Sequence, residues 1–247
     1  MRAAAETLKP VLLEQGLVAD GSGGPSYPGD VLLVGDRIAA VGAGLRSRLP
    51  DGLALDEVDV VDCRGQVIAP GFIDAHTHDD AIVLHDPACL PKLSQGITTV
   101  VGGNCGISLA PYVVPAAKPP LNLLGAASFR YASMRAYGDA VNAARPSLNV
   151  VALVGHTTLR FAAMPELDRA ASADQRARMA ALLEACMAEG AAGLSSGLFY
   201  EEAFAAPADE VTDLARIVAR HGGVYTTHLR SEMAGIIEAM HEAGDSA

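Results

Sequence analysis

Two histidines one residue apart, His76 and His78, close the apolar run VIAPGFIDAHTHDD at residues 67–80. Side chains two apart in a strand project from the same face, so a buried strand through this segment would present both imidazoles to one side, with Phe72 and Asp74. Neutral imidazole suits zinc and its first-row neighbours, and two of them can share one cation. Taken alone, H-x-H is more often the pattern of two strand histidines satisfied by hydrogen bonds, and the rest of the chain changes that balance. Cys105, in VVGGNCG, adds a thiolate donor able to bridge two cations, or else one more buried thiol. Its setting favours the donor, because Gly-Gly-Asn-Cys-Gly packs poorly and presents one side chain with backbone close by. His228 ends VYTTH with Val224 and Thr226 on its side. Three histidines and a cysteine, each at the end of a predicted strand, form the nitrogen and sulfur set that zinc prefers. His156, after NVVALVG, is placed for substrate contact or for capping its strand. His85, His221 and His241 fall in loops or helices and carry no such implication.

The elements that must position these residues change character along the chain. From Pro10 to about Val67, short β-type runs are cut by turn residues, which predicts a small antiparallel β unit. Gly35-Asp36 forms a hairpin turn in it, and Gly21 to Asp30 is an irregular loop. From Val67 onward, strand-like runs alternate with helix-like ones, the order of βα units on a parallel sheet. Five strands are expected: 67–78, 96–106, 149–156, 190–200 and 222–232. Ser172 and Gln175 make a capping box for a helix that stops at Gly190, a second helix runs from Pro207 to His221, and a last one from about Ser231 to Ala243. Near-continuous apolar strands imply a sheet covered on both faces, and chemistry-bearing residues at successive strand ends fit a (β/α)8 TIM barrel. No glycine-rich nucleotide-binding motif follows any strand. The expected division is a β-sandwich portion at residues 1–68 and a barrel portion at 69–247. A whole barrel takes about 250 residues, and only about five of eight βα units are found, so the barrel is expected to be incomplete.

Composition limits the function classes. Half of the 247 residues are apolar and 19% are charged, with a net charge of -11. Such a chain buries a core and is globular. The negative balance disfavours nucleic acid and anionic membranes, which are bound by clustered Lys and Arg. Neither a span of about 18 apolar residues nor a signal peptide is apparent, which places the protein in the cytoplasm. Cys63, Cys89, Cys105 and Cys186 are dispersed and make no disulfide framework, leaving all but Cys105 as structural thiols.

GFIDAHTHDD, GITTVVGGNCGISLAP, GHTTLR, GLSSGLFY and THLRSE resemble successive signatures of the amidohydrolase superfamily, and within it of the D-aminoacylases (N-acyl-D-amino-acid deacylases). The likeness extends over nearly the whole chain. H-x-H after GFID is common to the superfamily, whereas the cysteine of NCG is specific to the branch that uses it in place of a carboxylated lysine. The resemblance implies a barrel beside a small β-sandwich built from both chain ends. It implies a Zn2+ centre in which Cys105 and His228 hold one tight ion and His76 and His78 belong to a second, weaker position. It implies a small-molecule partner, an N-acyl-D-amino acid, whose amide is cleaved to a carboxylate and a D-amino acid. Phe199 and Tyr200 would line the substrate pocket, and Arg230 would pair with the substrate carboxylate unless Glu232 claims it. The family's further histidine ligand and its catalytic aspartate would lie beyond Ala247. On that reading the chain is truncated and inactive alone, with Asp79, Asp80, Asp209 and Glu232 as weak stand-ins. Two alternatives remain: a cyclic amidohydrolase of the hydantoinase or dihydroorotase kind, which would have a lysine on the fourth strand, and a non-catalytic truncated metal-binding fragment.

Overall fold

The structure, a computed structural model, describes residues 9–246. It divides after Gly71 into two compact units.

The first unit is one five-stranded sheet. β1 (Val11–Val18), β2 (Tyr27–Val34) and β3 (Arg37–Gly42) form an antiparallel meander with Gly35 and Asp36 in the β2–β3 turn. The unit is not wholly antiparallel, as β4 (Asp59–Asp62) and β5 (Val67–Ile68) both run parallel to β1. The reason lies in β1 itself. Gln15 takes a left-handed φ of 60°, and this bulge divides the strand into a half that pairs with β4 and a half that pairs with β5. The intervening turn closes with the Cys63 N–H on the Glu14 carbonyl. Leu12 and Leu32 centre one small apolar cluster, and Val18, Val31 and Ile68 another.

The second unit carries the parallel sheet. β6 (Phe72–Asp74) and β7 (Ile97–Gly102) are joined through two four-residue helices, α1 (Ile82–His85) and α2 (Leu90–Leu93). A small hairpin, β8 (Tyr112–Val113) with β9 (Arg130–Tyr131), precedes α3 (Met134–Ala144). Then follow β10 (Asn149–Gly155), α4 (His156–Ala163), α5 (Ala173–Ala188) and β11 (Gly193–Gly197). The chain continues through α6 (Glu201–Phe204), α7 (Ala208–Arg220), β12 (Val224–His228) and α8 (Ile236–Ser246). The five strands pair in sequential order, β6-β7-β10-β11-β12, all parallel. That order is what sets their C-terminal ends side by side. α5 starts with the Ser172–Gln175 capping box, while α8 starts at Ile236, five residues later than the periodicity suggests.

Two expectations fail here. The run 67–80 is not one buried strand: Pro70, which lacks an N–H, and Gly71 break it, so Val67–Ile68 joins the first sheet and Phe72–Asp74 the second. Nor are both faces of the parallel sheet covered along its whole width. β6 and β12 are its edges, leaving Phe72, Ile73 and Val224 more than half exposed, whereas every residue of β11 is buried. The main apolar core packs α3, α4, α5 and α7 onto the central strands through Val154, Leu159, Leu183, Leu194 and Leu214. Among the described residues, no helix is long and apolar enough to cross a membrane.

Candidate metal centre

The loop after β6 carries both His76 and His78. Strand alternation therefore does not aim them; the loop is held instead by Lys92 on α2. Its ammonium donates to Asp74 at 2.5 Å and to Thr77 Oγ1 at 3.1 Å, and meets Asp79 at 3.1 Å. These contacts straddle the two histidines in sequence. The Lys92 ammonium also holds the Asp74 carboxyl below the usual range.

Cys105 is presented by the turn after β7. Its own φ is 54°, and Gly103 and Gly106 on either side have φ of 78° and 76°. Glycine is required at both flanks for a second reason as well. A Cβ at Gly103 would lie 2.2 Å from the Leu153 carbonyl oxygen, and one at Gly106 would lie 2.9 Å from the Gly197 nitrogen. The turn is thus pressed against the ends of β10 and β11, which brings the thiol to the β6 loop with 5% of its surface exposed. His76 Nε2 lies 3.0 Å from Cys105 Sγ. One ligand atom from each of His76, His78 and Cys105 falls within 4.8 Å of the others. His228, ending β12, places Nδ1 at 3.9 Å from the same sulfur and Nε2 at 3.3 Å from Glu232. Phe199 and Tyr200 follow β11, and their rings stand 5.5 Å and 5.2 Å from the His228 ring.

The electrostatics suit a cation. Burial, reinforced by a neighbouring His76 charge, pushes the His78 imidazole below its ordinary pKa, so its nitrogens stay available as ligands. His78 Nδ1 is buried without a hydrogen-bond partner among the described residues. Burial raises the Cys105 thiol, against a lowering hydrogen bond from Tyr200; a bound cation is what would reverse that and stabilise the thiolate. Two nitrogens and a sulfur in this setting fit zinc better than a hard, oxygen-seeking ion.

Other candidates are placed elsewhere. His156 opens α4 with no exposed surface, and its Nε2 meets Glu210 at 2.9 Å. Arg160, also fully buried, meets the same carboxylate oxygen at 2.6 Å. His156 Nε2 is thus taken up by a buried carboxylate on α7. Arg230 binds Glu242 at 2.6 Å and the Ala206 carbonyl at 2.8 Å, with its guanidinium over the Phe204 ring. Its partner in this structure is Glu242, not Glu232. Of the acidic stand-ins, Asp79 is held by Lys92 and Asp209 by Arg176 at 2.8 Å. Asp80 is buried against Gly102, its carboxyl pushed up to about 7 by that burial. Lys92 was not legible as a positioning residue; its one sequence signal is that it is the only Lys or Arg between Arg64 and Lys118.

Comparison with known proteins follows the same lines. A model of the amidohydrolase family matches residues 59–244. An N-acyl-D-aspartate deacylase of Alcaligenes xylosoxydans xylosoxydans is 48% identical over 91% of this chain and 44% of its own length. A crystal structure of D-aminoacylase, described as defining a novel subset of amidohydrolases, superposes with a TM-score of 0.88 at 44% identity, over 94% of this chain and 48% of that one. The N-acyl-D-glutamate deacylase of Bordetella bronchiseptica, solved with zinc and a phosphonate mimic of the tetrahedral intermediate, gives a TM-score of 0.86 at 39% identity over the same shares. The chain thus spans about half the length of these relatives.

Proposed function

The chain belongs to the amidohydrolase family, and on that premise we propose that it supplies the zinc centre of a hydrolase that cleaves the amide of N-acyl-D-amino acids. The carrying observation is the convergence of His76, His78 and Cys105 within 4.8 Å, with the buried, unpartnered Nδ1 of His78 beside them. His228 completes the set from the far edge of the sheet. The five sequential strands are, on this reading, the opening part of a (β/α)8 barrel, and the sheet of β1–β5 is part of a β-sandwich. The span of about half of each relative's length supports both.

Zinc, when bound, supplies Lewis acidity toward the scissile carbonyl and lowers the pKa of water toward about 7. The chain's own residues do the rest of what this region offers. His76 and His78 bind as neutral imidazoles, and Cys105 gives the thiolate that marks this branch. Lys92 fixes the histidine loop, and Phe199, half exposed, offers an apolar wall for the substrate. His156 is hydrogen-bonded to Glu210 and Arg230 is paired with Glu242, so on this reading another group meets the substrate carboxylate. The cyclic-amide alternative fits less well, since β11 reads GLSSG and offers no lysine.

Metal analysis with turnover tests the proposal. The complete protein should retain zinc through dialysis and release amine from N-acetyl-D-methionine, with the L-enantiomer and dihydrouracil left intact. Zinc retention with hydrolysis of dihydrouracil alone would overturn the assignment of substrate class.

A further inference from the structure

Asn104, next to the proposed sulfur ligand, touches all three strand ends from which the ligands come. Its amide nitrogen donates to the Ala75 carbonyl at 3.3 Å, one residue before His76, and to the Val101 carbonyl at 2.8 Å on β7. Its amide oxygen accepts from the Thr226 hydroxyl at 3.2 Å, two residues before His228. Two carbonyls on one side and a hydroxyl on the other leave a single orientation of the amide that satisfies every group. The side chain is 2% exposed, so none of these bonds has water as a ready substitute, and losing one leaves a buried polar group unpaired.

The sheet register explains how a single side chain reaches so far. Ser195 of β11 stands opposite Thr226 of β12. Neighbours in register share a face of a parallel sheet, so the two hydroxyls work on the same turn. Ser195 accepts from the Gly106 N–H at 2.9 Å and donates to the Gly103 carbonyl, closing the turn on both sides of Asn104 and Cys105. The following pair, Ser196 and Thr227, faces away and bonds to itself at 2.7 Å.

We propose that Asn104 is the positioning residue that fixes the spacing of His76, Cys105 and His228, joining the ends of β6, β7 and β12 into one metal site. The inference rests on the zinc reading above. Without the amide, the His76 loop loses its backbone anchor to the cysteine turn and keeps its Lys92 tether, the hydrogen bond from Thr77 N to the Val101 carbonyl at 3.4 Å and the side-chain approach of His76 to Cys105, while β12 is left with the 3.9 Å approach of His228 Nδ1 to the Cys105 sulfur.

The probe is cobalt(II), whose thiolate charge-transfer band reports the metal–sulfur bond directly, together with hydrogen exchange of the metal-free protein. Asn104→Asp sets a carboxylate against two carbonyl oxygens. It should weaken cobalt binding by about 10- to 100-fold, diminish the charge-transfer band, and speed exchange at Ala75–Thr77 as well as at Gly103–Gly106. Thr226→Val should weaken binding in the same direction by a smaller factor, Thr226→Ser should restore it, and Thr227→Val, on the opposite face, should leave it unchanged. A folded Asn104→Asp protein that binds cobalt within about twofold of the parent, or whose faster exchange is confined to Gly103–Gly106, overturns the proposal. If Asn104→Asp does not fold, equal affinities of Thr226→Val and Thr226→Ser overturn it. A parent protein that binds no cobalt overturns the zinc reading itself and this inference with it.

Discussion

Two histidine clusters sit at neighbouring strand ends of the same sheet, and they are built for opposite ends. Around Cys105, two imidazoles and a thiol approach one another with no carboxylate among them, and the cysteine is held in a left-handed turn. Around Glu210, His156 and Arg160 converge on one carboxylate with no exposed side-chain surface. Glu210 also accepts from the Ala171 N–H at 3.2 Å, and Arg160 donates to the carbonyls of Leu167, Arg169 and Glu202. The second cluster has its own counter-charge and ties α4, α7 and the 165–171 loop together, although His156 Nδ1, like His78 Nδ1, is buried without a partner among the described residues. A cluster of soft donors without a counter-charge is open to a cation, as the proposed function requires. The presence of a fixed carboxylate, more than the presence of histidine, separates the structural cluster from the proposed metal site.

Substitutions that act on one cluster and spare the other test this contrast. The largest effect is expected from Cys105→Ser, which removes the only sulfur: zinc affinity measured by competition with a chelator should fall by more than the roughly 10- to 100-fold typical of losing an outer partner, with the thermal midpoint of the metal-free protein little changed. Glu210→Gln should do the reverse. It leaves a buried guanidinium without its counter-charge, a loss of about 3–5 kcal/mol, readable as a fall of roughly 6–20 °C in melting temperature, while the affinity of the surviving fold for zinc stays the same. A Glu210→Gln protein that melts like the parent would remove the structural half of the comparison.

A smaller effect concerns pH. Burial alone would raise the Glu210 carboxyl, but the hydrogen bond from His156 and the charge of Arg160 outweigh it and hold it down to about 2, against an ordinary 4.5. Burial likewise holds His156 below its ordinary 6.5 and therefore neutral. Both groups bind more protons unfolded than folded, so both favour the fold at neutral pH and lose that contribution on acidification. The His156 part begins to go below pH 6.5 and the Glu210 part between 4.5 and about 2. Melting curves across this range should fall more steeply with acid for the parent than for Glu210→Gln; parallel curves would show that the pair is not the acid-sensitive element.

Much of this was readable from local sequence, and the rest depended on distant partners. Gly35-Asp36 marks a hairpin and Ser172 with Gln175 a capped helix because those signals lie within a few residues of the structure they cause. Cys105 stands out for the same reason, its glycines being demanded by the turn it occupies. His156 looks much like His228 in sequence, each following a β-rich run, yet a carboxylate 54 residues away decides its role. Arg230 is likewise settled by Glu242 on the next helix, and the two-sided pairing of β1 by the bulge at Gln15. The break at Pro70-Gly71 was visible, but that it parts two sheets follows only from which neighbours each half finds.

The most direct test of the account is zinc K-edge X-ray absorption on the metal-loaded protein. The account predicts a sulfur shell at about 2.3 Å together with imidazole scattering, the sulfur shell vanishing in Cys105→Ser. A first shell of nitrogen and oxygen alone in the parent would contradict it.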